Sequence, residues 1–286
     1  MASSVQKNKT SLNAEESQSG INLMHGLLVG KTAIITGSSR GIGKGCAQVF
    51  IEQGAKIVIN GRDEGVCRET YQDITKNGGD AIICPADITK KDEVNKMITN
   101  TIDAFGHIDI VVNNAGTSRD ALIHKMSDSL FKFIFDLNLK GTHNVTQAIL
   151  PEFRKESRKD EFKKIINFSS VAGISGNLGQ TNYAMAKSGI IAYSKACARE
   201  LSLDRINVNV IAPGFIETRM TAAKKPGDTL GMPQSVRNLA ISSIPFSRGG
   251  GGGLPLHVGN VALFLASNLS DWLTGQTFTV DGGSYI

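Results

Sequence analysis

The sequence predicts a doubly wound α/β fold, one seven-stranded parallel sheet flanked by helices. Three observations carry the prediction. Short β-branched runs alternate with longer helical patterns along most of the chain. The strand runs are continuously apolar, as strands covered on both faces are. A glycine-rich turn follows the first run, at the carboxyl end where such sheets receive their ligands.

Strands are expected over 31–36, 55–60, 81–84, 108–112, 164–168, 207–211 and 277–280, and helices over 42–53, 64–77, 90–105, 127–150, 181–202 and 257–267. The 286 residues suit a single large domain over 29–286. Residues 1–28 are rich in Ser, Asn, Gln and Lys and read as a flexible tail without a secretion signal. Glu15 and Glu16 argue against a transit peptide, and the ending Gly283-Ser284-Tyr285-Ile286 is no peroxisomal address, so the cytoplasm is expected. Two segments break the alternation. Residues 154–164 are charge-dense and read as a solvated loop. Residues 214–256 are irregular and proline-rich and read as a lid over a site. Within them the run Gly249–Gly253 reads as slack, with a hinge or a phosphate cradle as alternatives.

Composition excludes several classes. Apolar residues make 41% and charged residues 20% of the chain, ordinary for a globular protein, and no apolar run reaches a membrane span. The net charge of +5 is mild and no nucleic-acid-binding pattern accompanies it. Cys46, Cys67, Cys84 and Cys197 are scattered, which fits reduced thiols and no metal site.

The turn reads Gly37-Ser38-Ser39-Arg40-Gly41-Ile42-Gly43. Glycine lets the chain turn sharply and lets a diphosphate approach, and the following helix offers free N–H groups to the anion. The second strand ends Asn60-Gly61-Arg62, without the carboxylate that NAD sites place near the ribose. Arg62 and Arg40 instead suit a 2′-phosphate, which predicts NADP (NADPH). Asp87 and Ile88 follow the third strand, placed to meet adenine. Asn113-Asn114-Ala115-Gly116 follow the fourth: small residues admit a flat ring, and asparagine side chains can tie strand ends together. Ser170, Tyr183 and Lys187 carry the chemistry. Tyr183 and Lys187 stand at i and i+4 on one helix face, where a cation favours the phenolate.

Together TGSSRGIG, NNAG, Asn138, Ser170 and YAMAK resemble the short-chain dehydrogenase/reductase family from about residue 29 onward. The resemblance implies a Rossmann fold and a catalytic tetrad. Tyr183 would be the acid for ketone reduction, Lys187 would lower its pKa and hold the nicotinamide ribose, Ser170 would orient the carbonyl, and Asn138 would hold a relay water. It also implies hydride delivery from the nicotinamide B face, with Pro213, Gly214, Ile216 and Thr218 flanking that ring. Within the family the likeness is to 3-oxoacyl-[acyl-carrier-protein] reductases, on residues 115–122 with Met126, 207–221 and 274–286. It therefore implies NADPH-dependent reduction of a 3-ketoacyl thioester in fatty acid biosynthesis. A polyol, sugar, steroid or xenobiotic ketone, or a non-catalytic NADPH-binding role, are the alternatives. In the bacterial reductases basic residues dock the acyl carrier protein; those positions fall on Glu161 and Asp204, with Lys163, Lys164 and Arg205 beside them as stand-ins. The family also implies a homotetramer, built through the two long helices and the C-terminal strand, for which Phe131, Phe135, Ile149 and Tyr285 are candidate apolar contacts.

Overall fold

A computed structural model describes residues 26–227, 230–248 and 250–285. Seven strands form one parallel sheet in the order β3-β2-β1-β4-β5-β6-β7. They are β1 (Thr32–Ile35), β2 (Lys56–Ile59), β3 (Ala81–Ile83), β4 (Ile110–Asn113), β5 (Lys163–Phe168), β6 (Ile206–Pro213) and β7 (Thr277–Val280). The order reverses between β1 and β4, which opens a crevice at their carboxyl ends. Strands β1 to β6 feed two cores, because successive side chains point to opposite faces. Ile35, Ile59, Val112 and Ile211 pack with Phe50 and Leu265 on one face. Ile34, Val58, Val111 and Val208 pack with Met97, Ile149 and Phe153 on the other. Each such side chain, fully buried, contributes about 1.5–3 kcal/mol.

The first face is covered by α1 (Gly41–Glu52), α2 (Glu64–Thr75) and α9 (Pro255–Ala266), and the second by α3 (Lys91–Phe105), α5 (Gly141–Phe153) and α7 (Thr181–Glu200). Helices α1 and α9 meet closely because a Cβ on Gly45 would lie 2.8 Å from Pro255 and one on Gly259 would lie 2.9 Å from the Gly45 carbonyl oxygen. The expected long helix over 127–150 is two helices, α4 (Asp128–Phe135) and α5, joined by a π turn at Asp136–Lys140. Ile149 on α5 belongs to the core, so it offers no surface to another subunit.

Three expectations need correction. Most of the flexible tail lies outside the described residues, but its last residue does not fit the description: Leu28 is fully buried and its N–H donates to the Gln53 carbonyl at 3.0 Å. The charge-dense segment 154–164 is a solvated loop only in part, with residues 154–157, 159 and 160 exposed. Lys163 and Lys164 are buried in β5, and Arg158 turns inward onto Asp109. Nor is the described part of the glycine run slack. Gly253 and the stretch 215–217 exchange two backbone hydrogen bonds of 2.8 and 3.0 Å, and a Cβ on Gly252 would lie 2.5 Å from the Phe215 ring. Gly249 lies outside the described residues. The surrounding lid also contains a helix that the sequence reading missed, α8 (Gln234–Ser242). Arg237 on it donates to both Glu217 carboxylate oxygens at 2.8 Å and lies over the Phe215 ring.

Candidate active site

The turn after β1 enters α1 through Arg40, whose backbone is extended and whose side chain leaves the first-turn N–H groups uncapped. The three glycines do different work. Gly37 has φ +66, and a Cβ there would meet Ala115 at 2.9 Å. A Cβ on Gly43 would meet both Gly37 and the Asn114 amide at 2.5 Å. These two let the ends of β1 and β4 close up. Gly41, φ +58, is not crowded, the nearest atom to a Cβ being Thr218 Cγ2 in ordinary contact at 3.5 Å. It leaves an uncapped helix end facing the crevice, which fits a diphosphate.

Asparagines tie the strand ends together. Asn114 Nδ2 donates to the Thr36 carbonyl at 2.9 Å, and the Asn114 and Ala115 N–H groups both donate to Thr36 Oγ1 at 3.0 Å. Asn60, considered in the sequence only as a missing carboxylate, is a buried hub. Its Oδ1 accepts the Gly37 N–H at 3.2 Å, and its Nδ2 donates to the carbonyls of Cys84 and Ala86 at 3.0 and 3.3 Å. The signal was available: Asn60 is the polar residue that closes the apolar run Ile57-Val58-Ile59.

Arg40 and Arg62 are both exposed at the ends of β1 and β2. A Cβ on Gly61 would sit 2.7 Å from Ser39 Oγ, so the two turns touch. Asp63, the next residue along the chain after Arg62, caps α2 by accepting the Val66 N–H at 3.2 Å. Two guanidinium groups with the nearby carboxylate engaged fit a phosphate on the adenosine ribose. Asp87 binds Thr89, its Oδ1 accepting both the backbone N–H at 2.9 Å and the hydroxyl at 2.8 Å. Burial works to raise its carboxyl, and Thr89 with the charge of Arg62 holds it below the usual range. Ile88 follows Asp87 directly in the chain. Its side chain is buried against Gly141, and its carbonyl accepts from Asn144.

Tyr183, on the first turn of α7, has Ser170 beside it as the side chain that works to lower its phenol. Ser170 Oγ also accepts the Ala172 N–H at 3.2 Å, at the start of the short helix α6 (Ala172–Ser175). A Cβ on Gly173 would lie 2.7 Å from the Lys187 backbone, so glycine lets α6 press against α7. Lys187 is buried, its Nζ donating to the Phe168 carbonyl at 2.7 Å and lying 5.6 Å from the Tyr183 ring centroid. Burial lowers its ammonium to about 8. Burial also pushes the Tyr183 phenol up to about 12, with the Ser170 hydrogen bond working the other way and Asp120 adding to the rise. The downward pull expected from Lys187 is therefore not what governs the phenol here.

Asn138 sits in the π turn, fully buried. Its Nδ2 donates to the carbonyls of Ile134 and Thr117, both at 3.0 Å, while its Oδ1 has no partner. A Cβ on Gly116 would lie 2.4 Å from that oxygen and 3.4 Å from Lys187 Nζ. Gly116 thus brings Asn138, Lys187 and the end of β4 to one point. On the far side, Gly214 packs against Asp281, Pro213 ends β6, Ile216 is buried in the core beside it, and Thr218 faces Gly41.

A family model described as enoyl-(acyl carrier protein) reductase matches residues 37–285. The 3-oxoacyl-[acyl-carrier-protein] reductase FabG of Chlamydia muridarum is 41% identical over 261 residues, covering 91% of this chain and 99% of its own. That of Thermotoga maritima is 37% identical over 271 residues, with the same coverage of 91% and 99%. The 3-oxoacyl-[acyl-carrier-protein] reductase of Synechocystis is 38% identical over 258 residues, covering 90% and 97%.

Proposed function

We propose, from the premise that this chain belongs to the short-chain dehydrogenase/reductase family, that it reduces a 3-ketoacyl thioester to the 3-hydroxyacyl thioester. It is an oxidoreductase acting on C=O and CH–OH groups with a nicotinamide cofactor. The observation that carries the reading is the meeting of Ser170, Tyr183, Lys187 and Asn138 beside the crevice between β1 and β4. NADPH is the cofactor form that Arg40, Arg62 and the engaged Asp63 favour.

The uncapped end of α1 and Gly41 would hold the diphosphate, Arg40 and Arg62 the 2′-phosphate, and Gly116, Lys187 and Thr218 the nicotinamide end. When bound, NADPH supplies the hydride. Ser170, beside the phenol, holds the carbonyl oxygen against Tyr183. Tyr183 gives its phenolic proton to that oxygen. Lys187, with its ammonium near neutral pKa, stabilises the phenolate left behind and exchanges the replacing proton. The orphaned Asn138 Oδ1 orients a water on that path.

The thioester's carrier is open to the same experiment. Glu161 and Asp204 are paired with cations, Lys163 and Lys164 are buried in ion pairs, and Arg205 lies over Phe162. The basic stand-ins expected there are thus spent, and CoA thioesters are the substrates to try first. Acetoacetyl-CoA should consume NADPH in an absorbance assay, with acetoacetyl carrier protein in a parallel arm. Turnover should vanish in Tyr183→Phe, and Arg40→Ala/Arg62→Ala should erase the preference for NADPH over NADH. Consumption with neither thioester overturns the substrate reading. No helix among the described residues is long and apolar enough to cross a membrane. A cytoplasmic homotetramer is the proposed setting, and a monomer in sedimentation would exclude that assembly.

A further inference from the structure

We propose that Glu217 is a positioning residue: it binds helix α8 and the glycine run ahead of α9 to the segment that walls the nicotinamide end of the crevice, so that lid and cofactor seat are set as one unit. The inference rests on the reading of Thr218 as part of that seat.

Glu217 is held by two other stretches of chain. Both of its carboxylate oxygens accept from Arg237 Nη2 at 2.8 Å, and Oε1 also accepts the Gly252 N–H at 2.8 Å. Its own N–H donates to the Gly253 carbonyl at 2.8 Å, and the Gly253 N–H returns to the Phe215 carbonyl at 3.0 Å. The other arm of the guanidinium, Arg237 Nη1, donates to the Thr221 carbonyl at 2.9 Å. Thr221 Oγ1 accepts the Thr218 N–H at 3.0 Å and donates to the Ile216 carbonyl at 2.5 Å. One guanidinium therefore grips both ends of the turn 217–221, and Thr218 lies inside it. Thr218 in turn faces Gly41 of the diphosphate turn.

Apolar packing does not hold α8 in place. The helix buries none of its own side chains, and Val236 and Leu239 on it are exposed. Backbone bonds pin the chain before it, Met232 to Ala222 at 3.0 Å, and after it, Phe246 to Gly282 at 3.2 Å. Between those pins Arg237 ties the helix to the turn. Its planar guanidinium is bonded through both Nη atoms and lies 5.4 Å from the Phe215 ring centroid, which fixes direction as well as distance. The glycine run closes the grip from the other side. A Cβ on Gly252 would lie 2.5 Å from the Phe215 ring and one on Gly253 2.8 Å from Ile216 Cδ1, so bare backbone is what lets the Gly252 N–H reach Glu217. Beyond the run, Pro255 opens α9 against Gly45 on α1, the helix whose uncapped end faces the crevice. Glu217 thus stands where the lid, the nicotinamide wall and the support of the diphosphate helix meet. The Arg237 hydrogen bonds foremost, with the Gly252 N–H behind them, hold its carboxyl below the usual range against burial, so the charged form makes these bonds.

Glu217→Gln keeps the shape and removes the charge. Arg237→Lys keeps the charge and gives up the second arm. Gly252→Ala wedges the run off Phe215 and leaves both charges in place. Two readouts need no turnover: NADPH affinity by fluorescence titration, and backbone amide exchange over 234–242. In each variant α8 should exchange about tenfold faster or more, and NADPH should bind about threefold to tenfold more weakly, the scale of one lost hydrogen bond. Exchange in β1 and β4 should stay as in wild type. With a ketone substrate, KM should rise by more than kcat falls, a split that loss of folded protein does not produce. Faster exchange over α8 with NADPH affinity unchanged overturns the inference, because the lid would then be tied down without bearing on the cofactor. Weaker NADPH binding with α8 exchange unchanged overturns it too, as does faster exchange that spreads equally through β1 and β4. Should one variant fail to fold, the other two carry the test. Both shifts in a protein that turns over no ketone sustain the role of Glu217 and remove the reductase reading instead. A wild-type protein that binds no NADPH removes both.

Discussion

Three buried lysines separate the two ends of this sheet. At the amino end of β5, Lys163 Nζ lies 3.2 Å from Asp109 and 3.1 Å from Glu161. Beside it Lys164 Nζ meets Asp271 at 2.6 Å and Asn207 at 2.8 Å. At the carboxyl end Lys187 has only a backbone carbonyl and the face of a tyrosine, and it forms no ion pair among the described residues. Burial lowers Lys164 too, but Asp271 works against the fall. Nothing of the kind restrains Lys187, which drops to about 8. Taking an ammonium out of water is costly unless a carboxylate receives it. The paired lysines belong to the architecture; the unpaired one is held at a free-energy cost that only chemistry explains.

Replacing Lys187 with methionine tests that contrast most severely. Turnover should fall by ~10²–10⁴-fold, the scale of a lost proton-transfer group. Stability should move the other way. The folded pKa of about 8 lies below the unfolded value of ~10.4, so the unfolded chain binds more protons between them. Wild-type stability should therefore rise as pH climbs from about 8 to 10, and at pH 7 the buried charge costs roughly 3 kcal/mol. Lys187→Met should be at least as stable as wild type at pH 7 in urea melts, and should lose the alkaline rise. A variant that is both inactive and destabilised would make Lys187 another structural cation.

Asp109→Leu probes the other end. Asp109 is 1% exposed and receives Arg158, Lys163 and the Thr32 N–H. Burial works to raise its carboxyl, and those partners outweigh it and hold it below the usual range. Its loss leaves the buried Lys163 and Arg158 with only the partly exposed Glu161 to receive them, a change of up to about 3–5 kcal/mol. Urea unfolding should record that drop while kcat per folded molecule stays unchanged. A selective loss of kcat would dissolve the division between the two ends.

The same division decides what could be read from the sequence. Tyr183 and Lys187 stand four apart on one helix, and the glycine turn is a contiguous string, so local spacing exposes their chemistry. The strand and helix alternation is legible for the same reason, and every strand falls within two residues of its expected span. Contacts between distant residues are not. Asp109 lies 54 residues from Lys163, and a charged stretch cannot announce that a buried carboxylate waits for it. Gln180 Nε2 donates to the Asp120 carboxylate across 60 residues of chain, and neither residue names the other in the sequence. Helix α8 is bracketed by Pro233 and Pro245, which masked nine helical residues as irregular chain.

Glu161→Gln gives the smallest expected effect and the finest division within the paired end. Arg158 in the first place, and Lys163 with it, bring the Glu161 carboxyl down to about 2 against some burial. Its side chain is 40% exposed, so water screens the pair and its worth is below about 1 kcal/mol. The sign is fixed by the direction of the shift. A carboxylate lowered in the folded state contributes above its unfolded pKa of ~4.3 and loses that contribution as pH falls toward about 2. Wild type and Glu161→Gln should thus differ slightly at pH 6, with the difference shrinking below pH ~4 and closing as pH reaches about 2. Asp109→Leu should stay well below both at pH 6, because its cations have lost the buried carboxylate rather than the hydrated one. A Glu161→Gln deficit as large as that of Asp109→Leu would mean the network acts as one unit, with exposure no guide to the weight of its members.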